Sequence, residues 1–289
     1  MSDRDNGGSA SGEVALGLVQ MAMNDDRGAN ISKAVAKVDE AARKGASIIC
    51  LPELFTSRYF PQGRDAKVDA ESIPGPTTKV LSERARELKV SIVGGSICEK
   101  GQDGRFYNTS VVFGPSGKIL GKYRKVQIPQ DESFFEKDYF SGGKAYRVFK
   151  TPLAKLGVLI CFDQWYPEPA RIDRLMGAQI LFYPTAIGRV DGIEETEGDW
   201  EQAWEAVQRG HAISNSMVVA AVNRVGKEGR MSFWGGSFVC DQFGKILAKA
   251  GDTEAVIVAT CDLELGKQVE EGWGFLRNRK PATYRKLVT

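Results

Sequence analysis

Three reactive side chains in this sequence each lie beside or within an apolar stretch. Glu53 follows the run Ile48–Leu51, Lys125 lies in YRKVQIP, and Cys161 ends KLGVLIC. A carboxylate at the end of an apolar run is costly to desolvate, which can raise its pKa and make it a general base. An ammonium can stabilise a developing oxyanion, and a thiolate can attack a carbonyl carbon. Each of the three residues therefore has a catalytic role open to it.

Each residue also has an interpretation without chemistry. Taken alone, Glu53 is equally well explained as an exposed acid at a strand end. Lys125 alone is better explained as part of a basic edge strand, which discourages aggregation. Strand alternation places Lys125 and Arg124 on opposite faces, so one can stay in solvent while the other points inward.

Cys161 is the least ordinary of the five cysteines. We interpret the others as buried structural residues: Cys50, Cys98, Cys240 and Cys261. Cys161 is followed at once by the polar residues Asp163 and Gln164, and Pro167 can begin a helix. We expect Cys161 to be the last residue of a strand, where free N–H groups of the next turn favour a thiolate and an oxyanion.

The composition excludes several classes of protein. The 289 residues include 39 basic and 37 acidic ones, a net charge of +2, which gives no electrostatic reason to expect nucleic acid or an anionic membrane as partner. A single histidine, His211, excludes multi-histidine metal sites. The odd number of cysteines, without a C-x-x-C pair, argues against a disulfide framework and favours a reducing compartment. No apolar run reaches the length of a membrane span, and the polar start lacks the apolar run of a signal peptide, so we expect a cytoplasmic protein.

The elements that must position these residues alternate between strands and helices. Residues 1–12 are small and polar and are predicted to be a disordered tail, followed by one domain over 13–289. Asp26 can cap a first helix that Gly45 ends, and Ser91–Cys98 is predicted as one strand. The segments YNTSVVF and KILGKYRK form a predicted hairpin around GPSG. The alternation of strands with helices, mixed with hairpins, indicates an α/β sandwich with mixed sheets.

The segments that carry these residues resemble the nitrilase, or carbon–nitrogen hydrolase, superfamily. The matching signatures are LPELF, YRKVQIP and GVLICFDQWYPEPAR, in the family's order, and the similarity extends over nearly the whole chain after the tail. The resemblance implies a four-layer αββα sandwich. The longer segments YRKVQIPQDESFFEKDYF, FYPTAIG and FLRNRKPATYRKL resemble, in particular, the members that hydrolyse N-carbamoylputrescine.

The resemblance also implies roles for individual residues. It makes Glu53 the general base, Lys125 the oxyanion stabiliser and proton donor, and Cys161 the nucleophile, with Glu136 as the best match for a second glutamate near the site. No metal or organic cofactor is expected. One departure is Gln127, where many relatives have histidine; it neighbours the lysine and leaves the reaction type unchanged.

The substrate is expected to be a small carbamoyl amine. Between Ile187 and Trp204 the chain carries six acids against Arg189 alone. Taken alone, this acidic loop is better explained as a solvated loop. The resemblance places it near the mouth of the site, where it would attract an ammonium and repel acids such as ureidopropionate. Substrate contacts are assigned to four residues: Tyr59, Phe60, Trp165 and Ala186.

Three alternatives stay open at this point. One is another amidase or ureidopropionase of the same superfamily, and a second is a thiol enzyme that pairs Cys161 with His211. The third is a non-catalytic binding protein on the same scaffold. The resemblance further implies at least a homodimer, with the acidic loop and the C-terminal FLRNRKPATYRKL as candidate subunit contacts.

Overall fold

A computed structural model describes residues 12–193 and 197–288. The strands, in chain order, are β1 (Glu13–Gln20), β2 (Ile48–Cys50), β3 (Ser91–Val93), β4 (Ile97–Lys100), β5 (Phe106–Phe113), β6 (Ile119–Arg124), β7 (Val148–Lys150), β8 (Lys155–Val158), β9 (Ile180–Pro184), β10 (Gly188–Val190), β11 (Val218–Val222), β12 (Val225–Glu228), β13 (Met231–Trp234), β14 (Phe238–Cys240), β15 (Ile246–Lys249) and β16 (Ala255–Asp262). The α-helices are α1 (Arg27–Arg43), α2 (Pro76–Leu88), α3 (Pro167–Leu175), α4 (Trp200–Asn215) and α5 (Glu264–Trp273). Short 3₁₀ helices cover Phe60–Gln62, Glu136–Asp138, Cys161–Trp165, Pro281–Thr283 and Arg285–Val288.

Within the described residues the strands form two large sheets and one small one. The first sheet has the order β16-β1-β2-β3-β5-β4, with β6 paired to β5, and the second has the order β15-β14-β11-β9-β8-β7. Both sheets are mixed, with parallel pairs at their centres and antiparallel pairs at their edges. The small antiparallel sheet β10-β13-β12, which the sequence did not predict, lies apart from both.

The layers follow from which faces are apolar. Helices α1 and α2 pack on the first sheet, and α3 and α4 pack on the second. The other faces of the two sheets meet each other: Leu16 and Leu18 of β1 share one buried cluster with Val158 of β8 and Val218 of β11. The expected αββα sandwich with mixed sheets is therefore confirmed, and its interior is built by burying apolar strand faces against each other.

Local signals placed several elements correctly. The Asp26 carboxylate accepts the Ala29 N–H at 2.9 Å and caps α1, and Gly45, with φ 92°, follows its end. The β5–β6 hairpin is present as predicted. The single strand predicted over Ser91–Cys98 is wrong, because the chain breaks at Gly94–Gly95 into β3 and β4. Gly95 has φ 45°, and a Cβ there would lie 2.2 Å from the Pro52 carbonyl oxygen, so glycine permits a close approach next to the Glu53 turn.

The domain prediction is neither confirmed nor contradicted. Residues 1–11 of the predicted tail lie outside the described residues, and the carbonyl oxygen of Gly12 accepts the Leu263 N–H at 2.9 Å.

None of the helices in the described ranges has both the length and the apolar composition needed to cross a membrane.

Candidate active site

Two buried carboxylates hold the Lys125 ammonium. Glu53 follows β2 by three residues, Lys125 directly follows β6, and Glu136 begins a 3₁₀ helix. Lys125 Nζ donates to Glu53 Oε1 at 2.9 Å and to both oxygens of Glu136 at 2.8 and 2.9 Å. All three side chains are fully buried. The structure thus brings together an amine and two acids that lie up to 83 residues apart in sequence (Glu53 to Glu136).

Strand alternation accounts for the inward direction of Lys125. Arg124 points to the opposite side and pairs with Glu99 at 2.7 Å, with its guanidinium over the Tyr107 ring at 3.6 Å from the centroid. The expected opposition of the two basic side chains is confirmed. The expectation that the outer one stays in solvent is wrong, because Arg124 is half-buried in this ion pair.

Two neutral side chains complete the ring of contacts around the carboxylates. Asn108 Nδ2 donates to Glu53 Oε1 at 2.7 Å, and the Tyr59 hydroxyl donates to Glu136 Oε1 at 2.7 Å. Sequence analysis missed Asn108, although a run of polar residues within the buried strand β5 was a visible signal. Tyr59, assigned as a substrate contact, is fully buried and orients Glu136 through its hydroxyl.

Cys161 begins a 3₁₀ helix and has a left-handed backbone, with φ 45°. The prediction that it ends a strand is wrong, because β8 ends three residues earlier at Val158. The thiol is 6% exposed, and its Sγ lies 3.9 Å from the carbonyl oxygen of Ala186. Left-handed backbone at a residue other than glycine is strained, and such strain concentrates at functional sites.

Burial governs the protonation of Cys161. It raises the pKa of the thiol well above the ordinary value; Glu53 raises it further and Lys125 lowers it. The expectation that the helix start alone favours a thiolate is therefore wrong. At rest Cys161 is a protonated thiol, and it needs a base to accept its proton when it attacks.

Burial and neighbouring charges also shift the pKa values of Lys125 and Glu136. Burial opposes the Lys125 ammonium, but Glu136 and Glu53 outweigh it and raise the pKa of Lys125. Burial and the nearby Glu53 raise the pKa of Glu136 against the lowering effect of Lys125. Lys125 is therefore a permanent cation at neutral pH, positioned to act on both the thiol and an oxyanion.

A cavity of about 560 Å³ opens onto Cys161. Its lining comprises Pro129, Asp131, Glu132, Phe134, Cys161, Phe162, Trp165, Ile187, Ile193, Glu197, Trp200 and Ala203. Aromatic and apolar side chains form most of the wall, as in typical small-molecule sites. Among the described lining residues, every charged side chain is an acid.

The four assigned substrate contacts lie in different places. Trp165 lines the cavity, whereas Ala186 reaches the site through its carbonyl oxygen near Cys161 Sγ. Phe60 packs edge-on against Tyr139, with ring centroids 5.1 Å apart. Neither Phe60 nor Tyr59 is among the described residues that line the cavity, so their assignment as substrate contacts stays a prediction.

Most described acids of the predicted acidic loop are engaged elsewhere. Asp191 pairs with a lysine of β12 at 2.6 Å, Glu201 pairs with an arginine of β10 at 3.0 Å, and Asp199 caps α4. Residues 194–195 lie outside the described residues. Glu197 alone among the described acids of this loop lines the cavity.

His211 is held by partners other than the thiol. Its Nε2 lies 2.7 Å from the Gln164 carbonyl oxygen, and its ring stacks on Tyr183 with centroids 6.1 Å apart. Burial lowers the pKa of His211. These contacts fit a structural histidine better than the base of a Cys161–His211 pair.

A buried arginine holds the turn that presents Glu53. Arg224 Nη2 donates to the carbonyl oxygens of Glu53 at 2.8 Å and Leu54 at 2.9 Å, where Leu54 has φ 45°. Its Nη1 pairs with Glu228 at 2.9 Å, and Glu228 accepts the Tyr59 N–H. Sequence analysis missed this pair, although a charged residue two positions after the apolar strand β11 was the available signal.

Comparison with known proteins gives a consistent result. The family model described as carbon-nitrogen hydrolase matches residues 15–271. The chain is 39% identical over 290 residues to an N-carbamoylputrescine amidase of Arabidopsis thaliana, covering 96% of each protein. It is 38% identical to omega-amidase NIT2-B of Xenopus laevis, over 93% of this chain and 96% of that protein. The crystal structure of a carbon-nitrogen hydrolase from Helicobacter pylori G27 matches it with a TM-score of 0.91 at 37% identity, covering 96% of this chain and 99% of that one.

Proposed function

This protein belongs to the carbon–nitrogen hydrolase family, within the nitrilase superfamily, and is an amidohydrolase; from that premise we propose that it hydrolyses N-carbamoylputrescine to putrescine, carbon dioxide and ammonia. The observation that carries the choice of substrate is the charge of the cavity. Cys161, the nucleophile, lies in a cavity. Among the described residues that line this cavity, the charged ones are all acids: Asp131, Glu132 and Glu197. Such a cavity favours a substrate with a cationic end.

The first half of the reaction forms a covalent intermediate. Glu53 takes the proton of the Cys161 thiol as Sγ bonds to the ureido carbon. Lys125 and the backbone N–H after Cys161 hold the resulting oxyanion, where a well-placed donor contributes about 3 kcal/mol. The C–N bond to the terminal nitrogen then breaks, and the protonated Glu53 returns its proton to the departing ammonia.

The second half releases the product. Water attacks the S-carbamoyl intermediate while Glu53 accepts a proton from the water. The C–S bond breaks, Cys161 recovers its proton from Glu53, and the carbamic acid loses carbon dioxide to leave the amine. Overall, one carbamoyl amine and one water react to give one amine, one carbon dioxide and one ammonia. These steps use Glu53, Lys125, Cys161, one backbone N–H and water, and they need no cofactor.

We place the far end of the substrate against the acidic residues of the cavity wall. Within residues 12–193 and 197–288, Asp131 and Glu197 have no ion-pair partner, whereas Glu132 pairs with Arg230 at 2.7 Å. The four-carbon chain of the substrate can lie against aromatic walls such as Trp165 and Trp200. Asp131 and Glu197 are then the acids available to its ammonium.

An ammonia-release assay tests the proposal. It compares carbamoylputrescine with ureidopropionate, citrulline, butylurea and simple amides, with Cys161→Ala as the inactive control. We expect the highest kcat/KM for carbamoylputrescine and a clear loss for butylurea, which has the same chain without the ammonium. Faster turnover of ureidopropionate would overturn the choice of a cationic substrate.

The same assay separates the remaining alternatives. The 38% identity to an omega-amidase favours, as second candidate, the amide of a carboxylic acid. Higher activity with such an amide would select it. No ammonia from any of these compounds, together with an ordinary pKa for the Cys161 thiol in alkylation, would support a non-catalytic binding protein.

We also propose that two or more copies associate and that the protein is cytoplasmic. Leu175 and Met176, at the end of α3, are 48% and 49% exposed, the neighbouring helix α4 exposes Ile213, and the C-terminal segment exposes Leu287. Apolar exposure on adjacent helices is typical of an interface. Sedimentation should give a dimer or larger species that Leu175→Glu dissociates; a monomeric wild type would refute the proposed association.

The five free cysteines agree with a reducing compartment, as proposed for a cytoplasmic protein.

A further inference from the structure

The carboxylate of Asp163 lies directly behind the nucleophile and is fully buried. It accepts three hydrogen bonds: from the Ile160 N–H at 2.8 Å, the Tyr123 hydroxyl at 2.7 Å and the Gln127 N–H at 2.9 Å. Burial raises the pKa of Asp163 to about 6, and these donors act against that rise. The group is therefore an anion at neutral pH and can accept from all three donors at once.

These donors come from two separate parts of the fold. Ile160 immediately precedes Cys161 and belongs to the second sheet's loop after β8. Tyr123 and Gln127 lie two residues before and two residues after Lys125, at the end of β6 in the first sheet. One carboxylate therefore bridges the segment that carries the thiol and the segment that carries the ammonium.

Cys161 needs such support. Its φ of 45° lies in the left-handed region, which is strained for a residue with a side chain. The bond from Asp163 to the Ile160 N–H closes the turn in which Cys161 sits. Without it, the backbone could relax and carry Sγ away from the Lys125 ammonium.

We propose that Asp163 is a positioning residue that sets the separation between Cys161 Sγ and Lys125 Nζ by bridging the two sheets, without touching the substrate. The proposal rests on the proposed roles of Cys161 and Lys125. The two segments follow strands of different sheets, and a displacement of about 1 Å at reacting groups can cost 100-fold in rate.

Asp163→Asn tests the bridge with minimal change of shape. The Tyr123 hydroxyl and the Ile160 N–H both donate to Oδ2, and Gln127 N–H donates to Oδ1. An asparagine has one acceptor oxygen, so it keeps either the Ile160 and Tyr123 bonds or the Gln127 bond, and in both orientations its amide NH₂ group faces a backbone N–H. We expect kcat to fall by about 30- to 100-fold with KM changed by less than about twofold.

Asp173→Asn is the matched control. Asp173 is also fully buried, and its carboxylate has no hydrogen-bond partner, so it bridges nothing. The control makes the same exchange of a buried carboxyl for an amide, although the raised pKa of Asp173, about 8, keeps this group mostly protonated at neutral pH. It should leave kcat within about twofold of wild type, because Asp173 ties down neither the thiol nor the lysine segment. An equal loss of kcat in both variants would overturn the proposal.

The pH dependence of Cys161 alkylation, followed on its own peptide by mass spectrometry, reports the geometry without turnover. Glu53 raises the pKa of the Cys161 thiol and Lys125 lowers it, so a thiol that moves relative to these two groups must titrate with a different midpoint. We expect the midpoint to shift in Asp163→Asn and to stay unchanged in Asp173→Asn. An unchanged midpoint in Asp163→Asn would show a role in stability alone. This measurement stands even if no carbamoyl amine proves to be a substrate.

Tyr123→Phe provides a milder variant if Asp163→Asn folds poorly. It removes only the hydroxyl bond to Asp163 and should lower kcat by about 10-fold, the lower end for a hydrogen bond to a charged group. The double variant should be no slower than Asp163→Asn, because Tyr123 acts through Asp163. Fully additive losses, or no loss in Tyr123→Phe, would refute the bridge.

Discussion

Glu136→Gln should slow the enzyme while making its thiol easier to ionise. The Tyr59 hydroxyl donates to Oε1 of Glu136, so the oxygen of a glutamine must occupy that position. The amide nitrogen then replaces Oε2, which accepts from Lys125 at 2.9 Å and from Asn108 at 3.4 Å. Both neighbours are donors, so the substitution loses these bonds and removes one buried negative charge.

The expected loss of rate follows from the lost bond to Lys125. A hydrogen bond to a charged group contributes about 1.5–3 kcal/mol. At 1.36 kcal/mol per factor of ten, this corresponds to a fall in kcat of about 10- to 150-fold, provided that the bond serves to hold Lys125 against the oxyanion. The change in the thiol has the opposite sense, because Glu136 raises the pKa of Cys161. Removing its charge must lower that pKa.

Two assays on one preparation measure both effects. Ammonia release gives kcat, and the pH midpoint of alkylation at Cys161 gives the thiol pKa. Glu99→Gln is the control, because Glu99 is also buried and accepts from Arg124 and Thr109 but is absent from the groups that act on Cys161. A rise in the Cys161 midpoint in Glu136→Gln, or unchanged kcat, would refute the role assigned to Glu136.

Three further predictions concern single side chains. Burial, with a contribution from Asp163, raises the pKa of Asp173 from 3.8 to about 8, so the folded state binds its proton more tightly and stability falls as pH rises from about 4 to 8. Asp173→Asn should remove this fall and raise the free energy of unfolding at pH 8 by a few kcal/mol in denaturant titrations; an unchanged pH profile would contradict it. Glu197→Gln and Asp131→Asn should each raise KM for carbamoylputrescine by about two- to fivefold, less so in high salt, and leave butylurea unaffected, because exposed charge pairs contribute about 0.2–1 kcal/mol. His211→Asn should retain kcat within about threefold, whereas a loss as large as that of Cys161→Ala would restore the thiol–histidine alternative.

Local sequence signals were sufficient to predict several secondary-structure elements and to identify the reactive side chains. The cap at Asp26, the stop at Gly45 and the hairpin around GPSG depend on neighbours in sequence, and all three are present. The inward direction of Lys125 follows from the two-residue period of β6. Glu53, Lys125 and Cys161 were singled out because each reactive group follows or interrupts an apolar segment.

Interactions between segments that are distant in sequence could not be predicted from the sequence. Asn108 and Arg224 are ordinary polar residues until the sheets bring them against Glu53, and the break at Gly94–Gly95 depends on the Pro52 carbonyl beside it. The acidic loop looked uniform, yet packing against β10 and β12 neutralises two of its acids.

The chemistry available to this chain was therefore set by its sequence: one thiol in a polar setting, an inward lysine and acids at strand ends. The protonation of these groups was decided by the tertiary structure alone. A pKa depends on desolvation and on charges within a few ångströms, and here burial between two sheets keeps the Cys161 thiol protonated while two distant glutamates keep Lys125 charged. No pattern of neighbouring residues carries that information, because the charges that matter meet only after the sheets have packed.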